Sequence, residues 1–295
     1  MNSQVKVIHG KSQSWTYDEA DMSDTRIKTD FADVNGTRTY YEIAGSGDPL
    51  VLVHAGIADS RTWDEQFEVL AREFTVVRYD MRGYGKTLAV EGPFAYHRDL
   101  AALLDHLGIA RAILLGCSMG GRTIIDLALE SPESVAALIA VAPGVSGYVG
   151  DSGDPPQREA LLEAYERGDL EQASEYEVQI WVDGPRRGTD QVPAAIRDRV
   201  REMNLIPLAV PDELVDERPL DPPAVGRLHE ILAPMLIVVG ELDQPAAIEQ
   251  SGFIAAHVPH AETVTLTTAH LPNMERADEF NEVVLTFLRR SAHSR

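Results

Sequence analysis

The stretch that most constrains this chain is 112–121, Ala-Ile-Leu-Leu-Gly-Cys-Ser-Met-Gly-Gly. A short apolar run stops at Gly116, and Ser118 follows among small residues. A segment with helical spacing comes next, Ile124, Leu127 and Ala128 sharing one face until Pro132 closes it. The pattern predicts a strand, a sharp turn and a helix, with Ser118 at the turn in the centre of Gly-x-Ser-x-Gly. Such a turn strains the backbone of the serine, and a side chain two residues to either side would collide with the neighbouring strand or helix. The strain aims the hydroxyl into open space. The helix N-terminus behind it offers free N–H groups and a partial positive charge. The same five positions also fit a tight turn in an α/β protein of another purpose. A nucleophilic serine needs an acid and then a histidine later in the chain, and donors for an oxyanion.

With 295 residues, 44% hydrophobic and 25% charged, the chain can bury a large core, as one large domain or a domain with an insertion. Its first residues are polar without an apolar signal-peptide core, and no run reaches the length of a membrane span; a cytoplasmic protein is the expectation. Cys117 is the single cysteine, so neither an intramolecular disulfide nor a cysteine-rich zinc site can form. A net charge of −21 argues against nucleic acid and anionic membrane as partners.

Residues 1–25 read as a polar leader. Asn35-Gly36 between β-prone runs at 28–34 and 37–44 signals a hairpin. Apolar runs at 50–53, 74–77, 135–142 and 235–239 read as buried parallel strands, and 262–266 as one more strand. Helices are expected with Trp63, Phe67 and Leu70 on one face, and from about Tyr96 with Leu100, Leu103, Leu104 and Leu107. Two more are expected over 246–256 and 278–289. Between 144 and 219 the periodicity changes: no good strand, and helical segments near 157–167, 169–182 and 191–202. This predicts a helical cap, 144–219, inserted into a core of 26–143 and 220–295. The alternation of strand and helix predicts an α/β fold, a mostly parallel sheet covered by helices on both faces. Large apolar cap residues, Ile180, Trp181 and Met203 among them, read mostly as packing, with part of the cap roofing Ser118.

A carboxylate at the C-terminal end of a parallel strand lies on the ligand side of such a sheet. Gly240-Glu241-Leu242-Asp243 follows such a strand, and Asp243 is favoured over Glu241 as the acid. His270, between the last strand and the last helix, is the candidate base. His54 reads as a structural loop residue, and the remaining histidines lie in the leader, on helices or in ordinary linkers. The N–H of Met119 is one oxyanion donor; the other comes from the loop after Val53, where Ala55 and Gly56 let a substrate oxygen approach the backbone. Three features resemble other chemistry. Gly85-Lys86-Thr87 looks like the end of a phosphate-binding loop, but Asp80 stands where that loop needs glycine. His257-x-x-His260 has the spacing of a metal pair with no third ligand in view, and no metal is expected. Cys117 adjoins the nucleophile and reads as a small packing residue.

Five pieces together resemble the α/β-hydrolases over about 25–290. They are His54-Ala55-Gly56 before Trp63; Asp80-x-Arg82-Gly83-x-Gly85; Gly116-x-Ser118-Met119-Gly120-Gly121; Gly240-x-x-Asp243; and His270-Leu271-Pro272-x-x-Glu275. The Ser-Met-Gly-Gly and His-Leu-Pro forms are most similar to the group of bacterial 3-oxoadipate enol-lactonases, esterases and cofactor-free haloperoxidases. The resemblance implies a triad of Ser118, Asp243 and His270, and oxyanion N–H groups from Gly56 and Met119. It also implies a small ester or lactone substrate, with no metal or organic cofactor. Two positions depart from the pattern: Ala55 stands where the family often has Gly or Ser, and Ala269 where Gly often precedes the histidine. A serine nucleophile separates the chain from epoxide hydrolases and haloalkane dehalogenases, which use a carboxylate. Hydrolysis of a carbon–carbon bond in a β-diketone-like substrate, or a non-catalytic ligand receptor, are the alternatives. An apolar cap lining favours uncharged, compact groups, and Arg122 could receive one carboxylate.

Overall fold

A computed structural model describes residues 27–292; the polar leader lies outside the described residues. The strands are β1 Lys28–Val34, β2 Thr37–Ala44, β3 Pro49–Val53, β4 Thr75–Tyr79, β5 Ala112–Cys117, β6 Val135–Val141, β7 Met235–Gly240 and β8 Glu262–Leu266. The helices are α1 Asp64–Leu70, α2 Tyr96–His106, α3 Met119–Glu130, α4 Arg158–Glu166, α5 Leu170–Val178, α6 Ala194–Leu208, α7 Pro245–His257, α8 Pro272–Glu275 and α9 Ala277–Ala292. One sheet holds all these strands in the order β1-β2-β4-β3-β5-β6-β7-β8. Asn35 and Gly36, both at positive φ, close the β1–β2 hairpin, a two-residue turn whose twist suits the strands it joins. β2 is antiparallel to β1 and β4, and every pairing onward from β4 to β8 is parallel.

Successive side chains of a strand point to opposite faces, so each central strand feeds two core layers. Leu114 enters one layer with Leu100, Leu103 and Leu104 of α2 and Ile124 of α3. Ile113 and Leu115 enter the other with Phe67 and Leu70 of α1 and Phe280, Val284 and Phe287 of α9. This is the expected α/β-hydrolase arrangement, a mostly parallel sheet with helices on both faces. Among the described residues no helix is long and apolar enough to cross a membrane.

Between β6 and β7 lie α4, α5, a π turn at Gln179–Asp183, and α6. Two local differences from the sequence reading have plain causes. Trp63 ends a short 3-10 turn, Ser60–Trp63, instead of sitting in α1, yet its ring is fully buried beside Phe280. α6 continues past 202 to Leu208 although Pro207 lies inside it. A proline removes one N–H and crowds the carbonyl a turn earlier, and the helix runs only one residue past Pro207 before it ends. There the chain tightens, with Ala209 N–H donating to Ile206 O and Val210 N–H to Pro207 O.

Candidate active site

Ser118 links β5 to α3 at φ 53°, ψ −111°, a conformation unfavourable for any residue but glycine. The surrounding glycines are required by space. A Cβ at Gly116 would run into the Gly120 carbonyl, one at Gly120 into the Val53 and His54 carbonyls, and one at Gly121 would lie 2.7 Å from Pro143 Cβ. The turn is pinned from three sides: Ser118 N–H donates to Val141 O (2.8 Å), while Ser118 O accepts from the N–H groups of Arg122 (2.9 Å) and Gly144 (3.2 Å). Gly56 and Met119 are neighbours, a Cβ built at Gly56 lying 3.7 Å from both Cβ and Sδ of Met119. The Tyr84 hydroxyl closes this corner, 3.8 Å from Met119 Sδ.

His270 and Asp243 meet at the ends of β8 and β7. His270 Nδ1 lies 2.7 Å from Asp243 Oδ2, and Asp243 Oδ1 accepts the Gln244 N–H at 2.7 Å. Both side chains are almost fully buried. Glu241 lies elsewhere, its carboxylate accepting the exposed Thr267 hydroxyl at 2.6 Å. The histidine loop abuts the serine turn, because Cys117 Sγ, one residue before Ser118, sits 3.6 Å from His270 O. Burial drives the Cys117 thiol pKa far up, so it stays protonated.

The β6–β7 insertion is tied to this pair through its π turn. Trp181 O accepts the His270 N–H at 3.2 Å, and the Trp181 ring lies 4.5 Å from the imidazole, centroid to centroid. Ile180 O accepts Gln244 Nε2–H at 2.7 Å. Gly184 ends the turn at φ +75°, where a Cβ would strike the Leu242 carbonyl and crowd the methyl of Ala269. Arg187 then reaches Glu275 at 2.6 Å, and Glu275 Oε1 accepts the Ala269 N–H at 2.8 Å, bracing the residue before His270. Trp181 and Glu275 were visible in the sequence as an apolar cap residue and a motif position. Arg187 carried no signal, since its partner is distant in the chain.

The other features have structural explanations. His54 Nδ1 bonds the Ala55 carbonyl at 2.9 Å and Nε2 accepts the Met81 N–H at 2.9 Å. A ring with one donating and one accepting nitrogen is neutral, and burial lowers the His54 pKa further. The Gly85-Lys86-Thr87 turn folds around the chain's own Asp80, whose Oδ2 accepts the Lys86 N–H at 2.7 Å and whose Oδ1 accepts the Ser60 N–H at 2.9 Å. A Cβ at Gly85 would overlap that carboxylate, so the turn holds Asp80 where a phosphate loop would hold its anion. Arg122, four residues beyond Ser118, is paired with Glu217 at 2.6 Å. His257 Nδ1 bonds Phe253 O at 2.8 Å, and no group of three or more His, Cys, Asp or Glu among the described residues could hold a metal ion.

The model of the alpha/beta hydrolase family matches residues 50–283. The chain belongs to that family. This alpha/beta hydrolase is 25% identical to 3-oxoadipate enol-lactonase 2 of Acinetobacter baylyi, over 77% of its own length and 84% of the relative's. It is 28% identical to the 2-hydroxy-6-oxononadienedioate/2-hydroxy-6-oxononatrienedioate hydrolase of Burkholderia vietnamiensis, covering 91% of this chain and 100% of that one. Among solved structures, the enol-lactonase of Burkholderia xenovorans LB400 superposes with a TM-score of 0.71 at 27% identity, covering 88% of this hydrolase and 99% of the other chain.

Proposed function

We propose that this hydrolase cleaves small carboxylic esters or lactones through an acyl-enzyme. The observation that carries the reading is the 2.7 Å bond between His270 and Asp243, in loops abutting a serine held at positive φ. His270 Nε2 takes the Ser118 proton as Oγ attacks the carbonyl carbon, and Asp243 holds the imidazole by its other nitrogen and stabilises the imidazolium. The oxyanion lies against the N–H groups of Gly56 and Met119. His270 returns the proton to the departing alkoxide, which in a lactone stays tethered as a hydroxyl. Water, deprotonated by His270, then attacks the acyl group, and Ser118 leaves with its proton restored. The steps use the chain's own groups and one water.

The β6–β7 insertion is the cap in this reading. Its π turn lies on His270, so it bounds the space above Ser118 and favours compact substrates, with acyl chains of about two to six carbons. A fluorophosphonate should label Ser118, and Ser118→Ala should abolish both labelling and turnover of a 4-nitrophenyl ester, while Cys117→Ala keeps both. An adduct on Cys117, or turnover surviving in Ser118→Ala, overturns the assignment.

A second reading draws on the Burkholderia vietnamiensis relative, 28% identical over 91% of this chain. The same residues could hydrolyse a carbon–carbon bond in a β-diketone-like substrate. Assaying one purified sample on esters and β-diketones separates the two; faster cleavage of a diketone would move the assignment.

A further inference from the structure

Glu177, on α5, is absent from every role assigned so far, and it lies one helical turn before the residue that covers His270. It precedes Trp181 by four residues, and residues that far apart share one face of a helical segment. Trp181 turns that face toward His270, with the rings 4.5 Å apart. Burial raises the Tyr84 pKa, and the charge of the Glu177 carboxylate raises it further. The Tyr84 hydroxyl in turn lies 3.8 Å from Met119 Sδ and from a Cβ position at Gly56. The spacing to Trp181 and the charge felt at Tyr84 both put Glu177 near the histidine and oxyanion corners. Its orientation is held by Asn204 of α6, whose Nδ2–H donates to Glu177 Oε2 at 2.6 Å and to Ser174 Oγ at 3.3 Å.

Among the described residues no salt bridge pairs Glu177 with a cation. Burial raises the Glu177 pKa, which favours the neutral acid, while the Asn204 hydrogen bond and the field of Arg158, exposed at the head of α4, oppose that shift and hold the charge. Arg122, the cation on the nucleophile's own helix, is already paired with Glu217. A substrate carboxylate entering here would meet Glu177 and find Arg122 taken, in a partly dry site where charge repulsion is stronger than in water. An ammonium group, or a neutral group with an N–H or O–H to donate, would find an acceptor in place.

We infer that Glu177 sets the charge selectivity of this site, accepting neutral and cationic substrates and turning away acyl groups that carry a carboxylate. The inference rests on the ester-hydrolase reading and names its substrate class. The test compares 4-nitrophenyl esters of hexanoate, of adipate carrying its free carboxylate, and of 4-(trimethylammonio)butyrate, each corrected for spontaneous hydrolysis. Wild type should favour the ammonium ester over the adipate ester in kcat/KM by about tenfold or more. Glu177→Gln, which keeps an oxygen for Asn204, should shrink that ratio about tenfold, and Glu177→Asp should preserve its direction. Glu217→Gln, which releases Arg122, should shrink it independently. Hexanoate turnover in each variant certifies a folded enzyme. Equal turnover of the two charged esters by wild type, or a ratio unmoved by Glu177→Gln, overturns the inference while leaving the ester reading intact. No turnover of any of the three esters, with no labelling of Ser118, overturns the ester reading and the inference with it.

Discussion

Every residue of β5, β6 and β7 is buried, whereas α4 buries only Ala164 and α5 only Ala173, Ser174 and Val178. The sheet is held by apolar area on both of its faces. The β6–β7 insertion adds a mesh of charge. Arg197 joins Glu175 at 2.5 Å and Asp183 at 3.2 Å, Arg201 joins the same Glu175, and Arg187 reaches out to Glu275. Apolar packing is non-directional and cooperative, so the sheet should open only when the whole domain opens. Ion pairs of this kind, from the buried Asp183 to the quarter-exposed Glu175, contribute less net free energy than apolar area but fix geometry, and although Val178, Val182, Val200 and Met203 join the core layer of α1 and α9, the insertion should open by itself at lower cost. The candidate active site lies on the boundary. Ser118, Asp243 and His270 stand on sheet loops, while Trp181 and Glu177 come from the insertion.

The largest effect should come from the sheet side of that boundary. Asp243→Asn should lower kcat by roughly 10³–10⁴, the scale of the equivalent change in serine proteases, with Glu241→Gln changing it little. The reverse ranking in steady-state assays would put the acid on the exposed carboxylate. In the sheet itself, Leu114→Ala should cost about 3–4 kcal/mol in urea unfolding, since it removes a fully buried side chain between packed layers.

The seam between the two regions is set by Asp126 of α3, which accepts the Ser146 hydroxyl at 2.8 Å, while Ser146 Oγ accepts the Ala224 N–H at 2.9 Å. Outgoing and returning ends of the insertion are thus clasped to one carboxyl, and burial pushes its pKa up to about 6. The folded protein therefore holds this proton more tightly than the unfolded chain does. Stability from this group is full below its ordinary value of 3.8 and declines as pH rises to about 6, then stays flat. Asp126→Asn should remove that slope and stabilise the protein above pH 6 by up to about 3 kcal/mol, measured as urea midpoints across pH 4–8. An unchanged slope would assign it to other groups.

Arg197→Met sharpens the contrast most directly, with the smallest effect. It strands the buried Asp183 and should cost about 2 kcal/mol, discounted because Glu175 is a quarter exposed. Hydrogen exchange should quicken in α5 and α6 while the amides of β5 and β6 keep their protection. Equal acceleration in the strands would mean that sheet and insertion open as one, and the contrast drawn between them would fail.

The same division governs what could be read from the chain beforehand. Asn35-Gly36, the continuous apolar strands and the glycines around Ser118 carry local signals, because turn chemistry and period-2 or period-3.6 burial act within a few residues. Asp243 and His270 follow their strands closely enough for position alone to nominate them. Glu177 gave no such sign: a charged residue on a helix reads as a solvated face until Trp181 is found lying on His270. Arg187 and Glu275, 88 positions apart, form a pair that no spacing announces. α6 ran past the segment expected near 191–202, through Pro207 to Leu208.

The burial of Cys117 has an experimental use. The chain's single thiol is buried at the end of β5, 3.6 Å from the carbonyl of His270, and is held in its protonated form. Maleimides and iodoacetamides react with thiolates that they can reach, so the native protein should remain silent to them. One cysteine introduced on the exposed side of α6 would then be the only position to take a fluorophore, without first engineering a cysteine-free background. Trp181 of the π turn could quench such a dye when the two approach, and the insertion's excursions from the sheet would become an optical signal.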